Sequence, residues 1–336
     1  MSNLPKFDEK DFTFVGEDQD IHHDKAMPAK PFWKDVITRF SKNKGAVVGL
    51  LVIVIIILFA IFAPMLSNFA FDGVNTAHQN VPPRIPLLEN LGLCNGYSHG
   101  INLYQELDMG NIYHFFGTDT LGRDLWVRVW SGTRISLYVA AAAVFIDIFF
   151  GMGYGLVSGY FGGKVDTVLQ RIQEVVYSIP SLVILTLLLM IMKPSLNTII
   201  IALMLTGWVG MSRITRAEVL KIKEQEYILA SKTLGASNFF ILIKEIIPNI
   251  FGQIIIMSMF SIPNAIFYEA FLAFVGLGIP APNASLGSLI NEGYKSILSS
   301  PYMVIIPVIV LGVLMLSFNM MADGLRDAFD PKQKDH

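Results

Sequence analysis

Charge is scarce in this sequence. Asp, Glu, Lys and Arg make up 15% of its 336 residues, against about 25% in a soluble globular chain. Cysteine is nearly absent: the single Cys94 excludes an internal disulfide and a cysteine-rich metal site. Histidine is missing from every long apolar run, because His22, His23, His78, His99, His114 and His336 all lie elsewhere. Neither His-Glu-x-x-His nor Gly-x-Ser-x-Gly occurs, so a membrane protease or lipid hydrolase finds no support. No Gly-x-x-x-x-Gly-Lys-Ser/Thr loop occurs, and the chain is not expected to hydrolyse a nucleotide itself. No metal site or cofactor is expected. The net charge of −2 gives no pointer to nucleic acid. Residues 1–30 mix Asp, Glu and Lys without an apolar core, which predicts a mobile, solvated tail and no cleavable signal peptide.

What is abundant is apolar sequence, 53% of the chain, gathered into runs. A helical crossing needs about 20 such residues, and six segments qualify: 45–66, 135–160, 175–192, 196–214, 250–276 and 302–322. The third and fourth, parted by Lys193-Pro194-Ser195, read as an antiparallel hairpin. With both termini inside, nineteen of the 25 Lys and Arg fall on inner segments, the orientation that the positive-inside rule favours. The expected fold is therefore an all-α membrane protein with six transmembrane helices. The chain divides into a cytoplasmic tail (1–30), an interfacial helix (31–44), a first span (45–66), an external segment (67–133), a block of five spans (134–323) and a cytoplasmic tail (324–336). Phe32, Trp33, Val36, Ile37 and Phe40 share one helical face in 31–44, which suits the inner leaflet of the lipid bilayer.

Several polar or small residues stand out. In Phe116–Asp124 (FGTDTLGRD), Asp119 is a candidate helix cap, and Asp124 stands four residues before Arg128, the favourable order for a helical ion pair. An amphipathic external helix is expected there, leading into the second span. Gly151, Gly155 and Gly159 form a small face for close helix packing. Asp147 and Glu269 lie inside spans, where a carboxylate is costly. Each reads either as a pathway or subunit contact or as a hydrogen-bonded core carboxyl. Pro180, Pro263 and Pro307 bend or break the spans that hold them.

The loop 218–248 is the longest interruption between spans in the second half of the chain. It reads as two short helices about Gly235, the first over 226–234 and the second capped by Ser237. A docking helix for a partner outside the membrane and an ordinary loop are both compatible with these features.

Several motifs in order resemble one family. They are FGTDTLGRD with Gly117, Gly122 and Arg123, then SGTRISL (131–137), SGYFGGKVD (158–166), YSIPSL (177–182), EYILASKTLGAS (226–237), FVGLG (274–278) and NMMADGLRDAFDP (319–331). The chain is similar to the C-type membrane subunit of binding-protein-dependent oligopeptide and dipeptide ABC importers. The resemblance implies the type I importer permease fold and no catalysis by this chain. It also implies a heterodimer with a homologous B-type permease, two cytoplasmic ABC ATPase subunits, an extracytoplasmic substrate-binding protein and a peptide substrate. It places ATPase coupling on Glu226, Tyr227, Leu229, Ala230, Ser231, Leu234, Gly235 and Ala236. Ala230 and Gly235 match the family signature. Leu229 and Ser231 stand where glutamate and alanine are common, and Leu286 where tryptophan is common. A permease for nickel complexes or another small solute is the nearest alternative, and a stand-alone secondary carrier a more distant one.

Overall fold

The computed structural model describes residues 31–329 except 90, 91, 93 and 99. The expected 1–30 tail, most of the 324–336 tail and His99 lie outside the described residues. Helix α1 (Phe32–Lys42) carries an Asp35–Arg39 pair at 2.9 Å. It turns at Asn43, whose Oδ1 accepts from the Ala46 N–H and so caps α2 (Lys44–Leu66). The apolar sequence of α2 leaves the helix no polar face, the pattern of a helix surrounded by apolar neighbours or lipid.

Residues 67–124 form an irregular cap. A two-stranded antiparallel hairpin, β1 (Tyr97–Ser98) and β2 (Ile101–Asn102), lies within it. Helix α3 (Leu125–Phe161) follows without interruption. The expected amphipathic external helix is thus not a separate element but the first turns of α3. At 37 residues α3 is about 55 Å long, well beyond a hydrocarbon core of about 30 Å.

The expected third span, 175–192, is not one helix. Helices α4 (Gly163–Ser178) and α5 (Ser181–Ile191) meet at 77°. Pro180 has no N–H to donate, and its ring drives the preceding residue out of the helical region; Ile179 is extended at φ −87°, ψ 121°. Counted as one crossing, the bent pair makes the sixth span; five helices are long and apolar enough alone.

Helix α6 (Leu196–Ile222) outruns its expected end at 214. After it come α7 (Glu226–Thr233) and α8 (Asn238–Leu277). The second short loop helix expected after Ser237 is the opening of α8, continuous with the fifth span. Helix α9 (Leu286–Tyr294) precedes α10 (Tyr302–Phe329).

The helices α2, α3, α8 and α10 enclose one core, with Ile53, Ile56, Ala140, Ile266, Leu314 and Phe318 buried in it. Helix α6 lies against the glycine face of α3. A Cβ at Gly151 would press on Met211, at Gly155 on the Ser212 carbonyl and Thr215, and at Gly159 on Val219. The two ends of the bundle differ. One carries α1, α7 and the end of α10: Phe32 and Trp33 pack on Phe329, and Asn43 donates to Asp327. This is the basic end. The other carries the 67–124 segment and α9, and is called the cap end.

Candidate functional site

At the basic end, α7 is held by one side chain. Ile228 is buried in a cluster with Leu156 of α3, Met211 and Val219 of α6, and Ile241, Ile246, Ile250 and Ile254 of α8. The remaining surface of α7 faces outward: Glu226, Tyr227, Leu229 and Ala230 are exposed, and Ser231 is half-buried. The helix closes with a defined turn. Gly235 N–H donates to the Lys232 carbonyl, Ala236 N–H donates to the Ser231 carbonyl, and Gly235 has φ +85°. That is a Schellman closure, which needs a left-handed residue that glycine supplies without a Cβ penalty. Half-buried Ala236 packs beneath the turn. Ser237 then accepts from the Phe240 N–H at 3.2 Å and caps α8. Leu234 is 88% exposed and Phe239 74%, so the turn between α7 and α8 presents an exposed apolar surface.

The same helices continue into a cavity of about 540 Å³, within the ~300–1,000 Å³ usual for ligand sites. It lies among α3, α4, α5, α6 and α8. Asp147, Tyr177, Pro180, Gly207, Asn264 and Tyr268 all reach it. Two backbone irregularities coincide here: the 77° break at Pro180 and a π-helical turn at Asp147–Met152. In a membrane such features persist where the freed groups are enclosed by protein or line a cavity. Asp147 is 5% exposed. The other intramembrane carboxylate is elsewhere. Glu269 is fully buried, and its Oε2 accepts from Ser136 of α3 at 3.1 Å. Glu269 therefore ties α8 to α3 and does not line the cavity. A larger hollow of about 840 Å³ between α2 and the cap has one carboxylate, Asp124. Both Asp124 oxygens are already engaged, as the cap geometry shows.

The cap is closed by charge. Asp119 Oδ1 accepts from the Leu121 and Arg123 N–H groups, and its Oδ2 meets Arg123 Nε at 2.7 Å and Arg128 Nη1 at 2.5 Å. Glu292 of α9 completes the set, with Arg123 at 3.0 Å and Arg128 at 2.7 Å. Gly117 and Gly122 hold positive φ, and a Cβ at Gly122 would strike the Asn75 carbonyl. Two expectations are corrected. Asp124, not Asp119, caps α3, accepting from the Val127 N–H at 2.9 Å. The Asp124–Arg128 pair does not form, because Asp124 Oδ2 meets His114 Nδ1 at 2.7 Å while Arg128 turns to Asp119 and Glu292. Tyr104 donates to the Pro82 carbonyl nearby, and burial raises its phenol pKa.

Sequence reasoning had no signal for Glu292, which lies 164 residues from Arg128, nor for Ile228 as the anchor of α7. Tyr268, Ser261 and Asn264 were equally unmarked; a polar stripe beside Pro263 was the one available cue.

Comparison with known proteins bears on the whole arrangement. The family described as "Binding-protein-dependent transport system inner membrane component" matches residues 151–335, and "N-terminal TM domain of oligopeptide transport permease C" matches 31–83. The oligopeptide transport system permease protein OppC of Bacillus subtilis (strain 168) is 41% identical over 300 residues, 89% of this chain and 90% of its own. The dipeptide transport system permease protein DppC of Lactococcus lactis subsp. cremoris (strain MG1363) is 41% identical over 345 residues, covering 99% of each. Among solved structures, an inward-facing MetNI methionine ABC transporter chain superposes with TM-score 0.52 at 20% identity, over 61% of this chain and 98% of that one. That likeness is one of fold.

Proposed function

The chain belongs to the binding-protein-dependent transport system inner membrane components, and from that premise we propose that it forms half of the membrane pathway of an ATP-driven peptide importer. As a family member it is a permease subunit in the cell membrane, working with other ABC components. The finer assignment is an oligopeptide or dipeptide cargo. Its proposed partners are a homologous permease, two ATPase subunits that hydrolyse the nucleotide, and an extracytoplasmic binding protein. Relatives named as oligopeptide and dipeptide permeases support the cargo, and they lend nothing to the nickel or small-solute alternative. In this reading the basic end faces the cytoplasm.

One observation carries the reading: α7 is a rigid, exposed helix whose single buried anchor, Ile228, packs on α3, α6 and α8, three of the helices around the cavity. Tyr227, Leu229, Ala230 and Leu234 offer the docking surface, and Glu226 a charge in the first turn, where it suits the helix dipole. A pull on α7 moves Ile228, and interdigitated side chains pass the displacement to the cavity helices because packed interiors deform little.

The test is uptake of labelled peptides by the complete complex in proteoliposomes, with a Gly235→Pro variant alongside. Proline cannot adopt φ +85° and lacks the N–H that bonds Lys232. Membrane insertion is expected to persist while binding-protein-stimulated ATP hydrolysis and uptake are lost. Normal transport by the variant would sink the role given to α7; a wild-type complex that carries no peptide would sink the cargo.

A further inference from the structure

The cavity holds a carboxylate that no cation among the described residues pairs. Asp147 sits midway along α3 and reaches the cavity. Ser261 shares the cavity lining, a neutral hydroxyl that donates to the Met257 carbonyl at 3.2 Å. No Lys, Arg or His lines the cavity, and Asp147 makes no ion pair with the described residues. The cation at the rim, Arg213, is stacked over the Tyr177 ring at 4.4 Å. The buried carboxylates of the cap have their partners in place: Asp119 meets two arginines and Asp124 a histidine.

Two further oxygen groups line the same cavity. The Tyr268 hydroxyl is buried without a hydrogen-bond partner. Asn264 donates through Nδ2 to the Phe260 carbonyl at 3.0 Å, which leaves its side-chain oxygen free to accept. A carboxylate, a phenol oxygen and an amide oxygen around one cavity match the three N–H donors of an ammonium group. A carboxylate in that position would be repelled. An apolar side chain would leave Asp147 desolvated and unpaired, at a cost of several kcal/mol in principle.

We propose that the cavity is a transient subsite for an alkylammonium group of the peptide in transit, either its amino terminus or a lysine side chain. The proposal rests on the peptide-permease reading above. Asp147 supplies the charge, and Asn264 and Tyr268 take the remaining protons. One unreinforced charge suits passage, since a site on a pathway must hold its cargo weakly enough to release it.

The experiment uses the complete reconstituted transporter and three peptides of one apolar sequence. The first has a free amino terminus and no lysine. The second is N-acetylated with one lysine, and the third is N-acetylated with norleucine in place of that lysine. Each peptide's affinity for the binding protein is measured separately, and uptake is compared at saturation, so that capture drops out. The wild type is expected to move the cationic peptides about tenfold faster than the neutral one, the scale of a single ion pair. Asp147→Asn should bring all three within about twofold, by slowing the cationic peptides, and Asp147→Glu should restore the difference. Loss for the first peptide alone assigns the amino terminus as the group read; loss for the second alone assigns the side chain. An Asp147→Asn complex that slows all three peptides equally, or keeps the wild-type ratios, overturns the proposal. If Asp147→Asn does not assemble, Asn264→Leu decides: a narrowed ratio supports the subsite, an unchanged one overturns it. A wild-type complex that imports none of the three while hydrolysing ATP normally strikes the peptide reading first, and the subsite falls with it.

Discussion

The cap and the cavity bury carboxylates in opposite ways. In the cap, Asp119 and Glu292 meet Arg123 and Arg128 in a balanced set of four charges, and Arg128 is fully enclosed at 0% exposure. In the cavity, Asp147 has a serine for company and empty space in front of it. Desolvating a charge is expensive in both places. The cap recovers the cost by pairing within the chain, which locks the 117–124 loop to α3 and α9. The cavity leaves recovery to something that arrives. A buried charge that is fully partnered is a fastener; one that faces a void is a receptor.

This contrast can be broken most severely at Arg128. Arg128→Met strips Asp119 and Glu292 of their shared cation, and removing one member of a buried ion network costs about 3–5 kcal/mol. A large fall in the thermal midpoint of the purified subunit in detergent is expected. A midpoint within a degree of wild type would mean the four charges hold nothing together. Glu269→Ala comes next. It leaves the buried Ser136 hydroxyl without its acceptor, a loss of about 2 kcal/mol, read in the same melt. Equal melting of variant and parent would place Glu269 with Asp147 rather than with the cap.

Asp147→Asn is the counterpart. Because the native charge is unpaired, its removal should change stability by less than about 1 kcal/mol, or raise it, while the selectivity among cationic and neutral peptides collapses. A destabilisation as large as that of Arg128→Met would erase the distinction between fastener and receptor. The smallest effect belongs to Asp166, which meets Arg216 at 2.6 Å and accepts from Ser158 at the basic end. This pair is partly exposed, so Asp166→Asn should cost about 0.5–1 kcal/mol, seen as a slight shift in denaturant midpoint.

Much of this was legible beforehand where the signal is local. The runs 45–66 and 302–322, the glycine series at 151, 155 and 159, and the turn at Gly235 each depend on residues a few positions apart, and each appears as a helix, a packed face or a Schellman closure. The failures were also systematic. Pro180 is a helix breaker by its chemistry, and the break is there at 77°, but the size of the bend is not a property of the sequence. The amphipathic helix expected to lead into the second span is the start of α3, and the backbone runs through. Leu286 is fully buried beside Val129, Ala284 and Leu289, a fit that local sequence does not announce.

The chain alone determined that it is a membrane helix bundle, since apolar length and the depletion of charge are one-dimensional properties that bilayer thickness reads directly. It also determined that a left-handed glycine would close α7. Only the tertiary structure decided which charges are partnered. Arg128 finds Glu292 across 164 residues, Ser136 finds Glu269 across 133, and Asp147 finds no cation among the described residues. Partnership is a matter of distances of a few ångströms between helices far apart in sequence, and Coulomb energy depends on that separation and on the surrounding dielectric, neither of which a linear reading contains.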